Sequence, residues 1–334
     1  MNVLVAGGAG YIGCHVVREL KTAGHQVVVV DDLSKGHIAA VAAADLVIGD
    51  ISDRRLIQRL VREQGIEAVV HLAADSLVGE SMQDPGKYFR HNLGKGAEFL
   101  DALVESGVRR LVFSSSAAVY GEPVSTPISE DHPTQPTNVY GATKLMIEQM
   151  LAWYGRLKGL QWISLRYFNA AGADPGGDIG EDHFPETHLI PLLLATILGQ
   201  REQLAVYGDD YPTPDGTCIR DYIHVTDLAR AHLLALEQLA AGRPGGIFNL
   251  GNGQGFSVWA VIRAAEAVTG CRVPVAIAPR RPGDPAVLVA SAERARQLLG
   301  WKPRYFRLED IIATAWQWHR THPDGYPGER RQQS

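Results

Sequence analysis

The opening residues Met1-Asn2-Val3-Leu4-Val5-Ala6-Gly7-Gly8-Ala9-Gly10-Tyr11-Ile12-Gly13 constrain the fold more than any other part of the chain. A run rich in valine and leucine stops at a glycine cluster, and a helical apolar pattern (Ile12, Val16, Val17, Leu20) begins at once. Strand, tight turn and helix in that order aim backbone N–H groups and a helix N-terminus at one point, where a pyrophosphate is the natural ligand. Gly7, Gly10 and Gly13 follow G-x-x-G-x-x-G, not the simplest dinucleotide fingerprint G-x-G-x-x-G. Taken alone, the turn therefore leaves plain helix-on-strand packing open. A second apolar run, Gln26 to Val30, ends in Asp31, 18 residues after Gly13. That spacing suits a carboxylate that takes the adenosine ribose hydroxyls, and its charge would repel a 2′-phosphate, which favours NAD over NADP. Asp32 is the neighbouring candidate, and Lys35 softens the preference. An acid that merely caps a loop is the structural alternative.

Further apolar β-type runs at Asp45–Ile48, Ala68–Leu72, Arg110–Phe113 and Trp162–Leu165 alternate with helical stretches such as Leu56–Gln64 and Tyr88–Ser106. This rhythm predicts an α/β fold, a Rossmann-type doubly wound parallel sheet covered by helices on both faces. Regularity breaks after Asn169. Gly- and Pro-rich loops at 172–186, 208–216 and 279–285 point to a smaller mixed α/β substrate domain. The expected division is 1–170 for the dinucleotide, joined by 219–240, with 171–218 and 241–334 as the second unit. Within the joining piece, Asp221–Val225 is expected to return to the main sheet, followed by a helix from Asp227 to Leu239. Gly251-Asn252-Gly253-Gln254-Gly255 lacks a later acid at a strand end and reads as a turn before a helix capped by Ser257. The tail Glu329–Ser334 is polar and reads as frayed.

A net charge of -5 with 21% charged residues gives no basic stripe, so neither nucleic acid nor a membrane surface is an expected partner. Cys14, Cys218 and Cys271 are odd in number and far apart, and show no metal spacing. Cys14 reads as packing in the first helix. No metal is expected, and a cytoplasmic location fits. Neither a signal peptide nor an apolar run of membrane-spanning length is evident.

Phe113-Ser114-Ser115-Ser116 leaves a strand toward the crevice where such sheets bind ligands. Tyr140 and Lys144 stand four apart at the start of a helix and so share one face. A lysine cation beside a phenol, with a positive nicotinamide ring, draws the tyrosine pKa below its ordinary value of ~10 and makes a base usable near neutral pH. Ser116 is positioned to hydrogen-bond the same reacting hydroxyl. Tyr154 and Lys158 repeat the spacing, but at 1.5 Å per residue they lie roughly 21 Å further along the axis. They read as surface or interface. The helix is apolar on more than one face, through Leu145, Met146, Ile147, Met150, Leu151 and Trp153. Its excess apolar surface suits either a helix-to-helix homodimer or a thick core.

In combination, the glycine turn, Asp31, Ser116, Tyr140 and Lys144 resemble the extended short-chain dehydrogenase/reductase family and, within it, the UDP-glucose 4-epimerases. The resemblance covers nearly the whole chain. It rests also on His71–Ala74, Val78–Ser81, Ser114–Gly121, Arg166–Gly172, Tyr211-Pro212-Thr213 with Asp215-Gly216-Thr217, Arg220–Val225 and Arg281-Pro282-Gly283-Asp284. It implies Tyr140, Lys144 and Ser116 as catalytic groups. For the cofactor it implies Gly7, Gly10, Tyr11, Ile12, Gly13, Asp31, Asp32, Asp50 and Ile51 on the adenosine side. Leu72, Ala73, Ala74, Ser114, Tyr140, Lys144 and Tyr167 follow along the strand ends, with Asn92 beneath the site. For the sugar nucleotide it implies Ser116, Tyr140, Phe168, Asn169, Leu189, Tyr222, Arg220, Arg281 and Asp284. Two arginines suit a diphosphate through forked hydrogen bonds. Leu288 matches the position that gates sugar size, and leucine is intermediate there. Ser76 stands where some members carry a lysine near the cofactor.

The activity implied is C4 epimerisation that interconverts UDP-glucose and UDP-galactose through a transient 4-keto intermediate, with tightly bound NAD. N-acetylhexosamines or uronates are the alternative sugars. A nucleotide-sugar 4,6-dehydratase is disfavoured, because Ala117 and Ala118 stand where those relatives carry Asp-Glu. A non-catalytic NAD-sensing module would need neither Tyr140 with Lys144 nor a diphosphate clamp.

Overall fold

The computed structural model describes residues 1–42, 44–281 and 284–327. Pro282, Gly283 and the tail Glu329–Ser334 lie outside the described residues. The apolar runs become strands β1 (Asn2–Ala6), β2 (Gln26–Asp31), β3 (Asp45–Ile48), β4 (Ala68–His71), β5 (Arg110–Ser116) and β6 (Gln161–Tyr167). Helices α1 (Tyr11–Thr22), α2 (Arg54–Glu63), α3 (Val78–Gln83), α4 (Pro85–Tyr88), α5 (Lys95–Glu105) and α6 (Val139–Lys158) lie between them. The second half adds β7 (Asn169–Ala171), α7 (Leu189–Ile197), β8 (Leu204–Tyr207), β9 (Ile219–His224), α8 (Val225–Ala240), β10 (Gly246–Leu250) and β11 (Gly255–Ser257). It ends with α9 (Val258–Thr269), β12 (Val275–Ala278), β13 (Val287–Leu288) and α10 (Leu308–Thr321).

Among the described residues the main sheet has seven parallel strands in the order β10-β6-β5-β4-β1-β2-β3. Alternation along each strand decides which helices cover it. Val3, Val5, Val27 and Val29 pack with Val16, Val17 and Leu20 of α1 and with Leu236 and Leu239 of α8. Leu4, Ala6, Val28 and Val30 pack on the other face with Ile57, Leu60 and Val61 of α2 and Phe99, Leu100 and Leu103 of α5. Burial of each such side chain contributes roughly 1.5–3 kcal/mol, so the sheet needs both helical layers.

The expectation for Asp221–Val225 is corrected. β9 pairs with β7, β11 and β13 in a separate four-stranded sheet, and the seventh strand of the main sheet is β10 beside β6. Both runs are short and only partly apolar, so pattern alone does not assign them to a sheet. The buried Asp221 carboxylate decides it: it accepts from the N–H groups of Asn252, Gly253 and Ala290, which anchors β9 to the second half of the chain. Helix α8 does return to cover the main sheet. A smaller core of α7, α9 and α10, with Leu193, Val261, Ile262, Ile311 and Ile312, forms the rest. Ser257 caps α9 by accepting from Ala260 N–H at 3.1 Å, as the sequence predicts.

Candidate active site

From β1 the chain winds to β2 and β3 on one side and continues through β4 and β5 on the other, so the direction of winding switches beside β1. Ligands of open α/β sheets bind at such a point. A cavity of about 340 Å³ opens there. Gly7 has φ +78°, and a Cβ on it would lie 2.5 Å from Ala73 N. A Cβ on Gly13 would lie 2.2 Å from the Gly7 carbonyl oxygen. The turn is thus pressed against the end of β4, and α1 is pressed against the turn. Gly10 caps α1 without a side chain, which leaves the N–H groups of the first turn for a ligand.

Gly7, Gly10, Tyr11, Ile12, Gly13, Asp31, Asp32, Asp50, Ile51, Leu72, Ala73, Ala74, Ser114, Tyr140, Lys144 and Tyr167 all line this one cavity. Asp31 caps the loop after β2 and also lies in the cavity lining. Its oxygens accept from Ala9 N–H and Leu33 N–H, each at 2.9 Å. Burial raises its pKa, against the lowering by those two N–H groups. Asp32 accepts from Ser34. At Asp50 burial pushes upward, but the Lys95 ammonium at 2.6 Å and Ser52 hold the carboxyl below its ordinary range. The residues fit a dinucleotide: a side-chain-free cradle at a helix N-terminus, with carboxylates at the ends of the next two strands.

Asn92 is not in the lining. It sits in a π-helical segment, Phe89–Gly94, between α4 and α5. Its amide accepts from Asp75 N–H at 2.8 Å and donates to Asp75 O at 3.0 Å and Thr143 Oγ1 at 3.1 Å. It therefore braces the floor beneath the first turn of α6.

Asn138 starts α6 by accepting from Gly141 N–H at 2.8 Å, and Gly159 at φ +71° ends it. This cap sets Tyr140 in the first turn, at the mouth of β5. Lys144 Nζ donates to Ser114 O at 2.8 Å and lies 5.7 Å from the Tyr140 ring centre. Ser116 Oγ accepts from Ala118 N–H at 3.1 Å at the end of β5. Burial pushes the Tyr140 phenol up, while Ser116 draws it down. Burial lowers Lys144 to about 7, against the upward pull of Glu148. The protein's own groups therefore do not produce the lowered phenol expected from the sequence. Tyr154 of the second pair instead donates to Asp101 on α5, far from the cavity.

The residues implied for the sugar nucleotide divide. Ser116, Tyr140, Phe168 and Asn169 line the cavity. Leu189, Arg220, Tyr222, Arg281, Asp284 and Leu288 are not in its lining. They belong to the second half: Arg220 pairs with Asp284, its strand neighbour is Leu288, and Arg281 stacks 4.0 Å over the Tyr207 ring. Leu288 packs against the cluster that holds Phe168 and Ala117, which links this group to the segment after β5. Tyr222 and Leu189 pack in the smaller core.

Sequence reasoning missed three groups. Glu148, buried, accepts from Ser115 and Ser164 and forms a two-pronged pair with Arg166 at 2.9 and 2.5 Å. Its place four residues after Lys144 was the available signal. Lys95 and His91, at the cavity wall, hold Asp50 and Asp75. Glu181, His183, Phe184, Pro185 and His188 close the wall facing the glycine turn; the first four fall in a stretch read only as a loop, and His188 lies just beyond it.

Residues 3–251 match the model of the NAD dependent epimerase/dehydratase family. The chain is 54% identical over 331 residues to the UDP-glucose 4-epimerase of Halalkalibacterium halodurans, covering 99% of each chain. The crystal structure of UDP-glucose 4-epimerase from Brucella ovis in complex with NAD superposes with a TM-score of 0.92 at 48% identity, covering 94% of this chain and 97% of that one. The enzyme from Bifidobacterium longum, in complex with NAD+ and UDP, gives 0.93 at 38% identity, covering 98% and 100%.

Proposed function

The chain belongs to the NAD dependent epimerase/dehydratase family, and on that premise we propose that it interconverts UDP-glucose and UDP-galactose by inverting C4, with NAD retained throughout. The observation that carries the reading is the convergence of Tyr140, Lys144 and Ser116 on the cavity that also holds the glycine turn. NAD supplies a reversible two-electron acceptor for the C4 hydrogen. Tyr140 takes the proton of the 4-hydroxyl and later returns it. Ser116 hydrogen-bonds the same oxygen, and the Lys144 ammonium, suspended from Ser114 O, stabilises the phenolate. Gly7, Gly10 and Gly13 with the α1 N-terminus bind the cofactor pyrophosphate, and Asp31 and Asp50 orient the adenosine. Arg220, Arg281 and Asp284 hold UDP, so the 4-keto sugar turns over without leaving.

In this reading the cofactor unit is 1–170 with α8, enlarged by β10, and the rest of the second half holds UDP. Ala117 and Ala118, directly after Ser116, offer no titratable group for dehydration. Among the described residues no helix is long and apolar enough to cross a membrane, and the three free cysteines support a reducing cytoplasm. Trp153 and Leu157 on α6 are 59% and 71% exposed, which supports a homodimer through this helix. Light scattering of Trp153→Glu would then report a monomer. The activity is tested by incubation with UDP-galactose, UDP-N-acetylglucosamine and UDP-glucuronate and separation of the products. Epimer is expected from UDP-galactose. Its absence, or a 4-keto-6-deoxy product, would overturn the reading.

A further inference from the structure

We propose that Glu181, His183, Glu186 and His188 form a binding site for a divalent transition-metal ion, best suited to Zn2+, that fastens the segment facing the glycine turn. One donor atom from each residue lies within 4.8 Å of the other three. His183 Nδ1 is 3.2 Å from Glu181 Oε1 and 3.8 Å from Glu186 Oε2. His188 Nδ1 is 3.0 Å from Glu181 Oε1 and 2.9 Å from Glu186 Oε1. A tetrahedral ion with bonds of about 2.0–2.2 Å holds neighbouring donors roughly 3.3–3.6 Å apart, so the four donors, all within 4.8 Å of one another, need only small side-chain shifts to reach that edge. Despite the approach of Glu181, His183 Nδ1 is shielded from solvent and makes no hydrogen bond. Glu186 Oε1 is already oriented, accepting from Thr187 N–H and His188 N–H at 2.7 and 2.8 Å.

The donor chemistry narrows the ion. Two imidazoles and two carboxylates suit zinc, whereas calcium and magnesium prefer all-oxygen shells. Two carboxylates also neutralise a dication. Four protein donors leave no open position, which makes the site structural and not Lewis-acidic. What it fastens follows from its neighbours. Lys35 Nζ donates to Phe184 O at 2.8 Å, and Tyr11 of the glycine turn meets the His183 ring edge to face at 6.0 Å. Such a site departs from the expectation of no metal, which weighed cysteine spacing and passed over E-x-H-x-x-E-x-H. It stands independently of the catalytic reading.

The test uses full-length protein without a polyhistidine tag, stripped with chelator and titrated with Zn2+ against a chromophoric competitor. One ion per chain is expected, with tetrahedral visible bands when Co2+ is used instead. His188→Ala, at an exposed position, and Glu186→Gln should each weaken binding at least about tenfold. Both should melt like the wild type in chelator. No uptake by the wild type would overturn the proposal and leave the cluster an imidazolium–carboxylate network. Undiminished affinity in both variants, or an octahedral cobalt spectrum, would also overturn it.

Discussion

Lys144 Nζ donates to the Ser114 carbonyl oxygen at 2.8 Å, and so ties the helix that carries Tyr140 to the end of the strand that carries Ser116. The ammonium is buried for this purpose, and burial lowers its pKa to about 7 from an ordinary 10.5. Between those values the unfolded chain binds more protons than the folded one, so native stability rises with pH across that window. Lys144→Met removes the slope. The variant's stability relative to wild type, from urea unfolding, should be greater at pH 6 than at pH 9 by roughly 1–3 kcal/mol. A difference that does not change with pH would show that the lysine is not held against its charge.

Glu148 lies one turn beyond Lys144 and is closed in by Arg166, Ser115 and Ser164. Removal of one partner of a buried ion pair typically costs about 3–5 kcal/mol, because the other charge is left behind. Glu148→Gln should therefore lower the midpoint of urea unfolding by an amount in that range. Glu148→Leu with Arg166→Met should recover most of the loss. If the double variant is as unstable as the single one, the cost lies in packing and not in the stranded guanidinium.

Gly7 and Gly24 both have positive φ, +78° and +83°, but only Gly7 has backbone within reach of a Cβ. Gly24→Ala should cost only the left-handed strain, roughly 1 kcal/mol. Gly7→Ala adds a clash with Ala73 and should lower both the melting temperature and NAD retention. Equal effects of the two substitutions on NAD would count against the cradle.

The sheet was legible because its central strands are buried on both faces and read as apolar runs between helical patterns. The cofactor end was legible for the same reason: Gly7 and Asp31 stand at strand ends and Gly13 in the first turn of α1, where spacing along the chain maps directly onto space. β9 and β10 were not separable, since each is a short run of mixed polarity and the choice is made by the distant partners of Asp221. Arg220, Arg281 and Asp284 came from family resemblance, and they lie apart from the cavity lining. Glu181 to His188 lacked any periodicity, so only the folded loop brings its four donors together.

The central claim is that Tyr140 is the proton acceptor for a tethered sugar, and Tyr140→Phe tests it most directly. Turnover of UDP-galactose by the variant should fall by roughly 10²–10⁴-fold, while calorimetric UDP affinity stays within a few-fold of wild type. Turnover close to that of the wild type, with UDP affinity unchanged, would contradict the account.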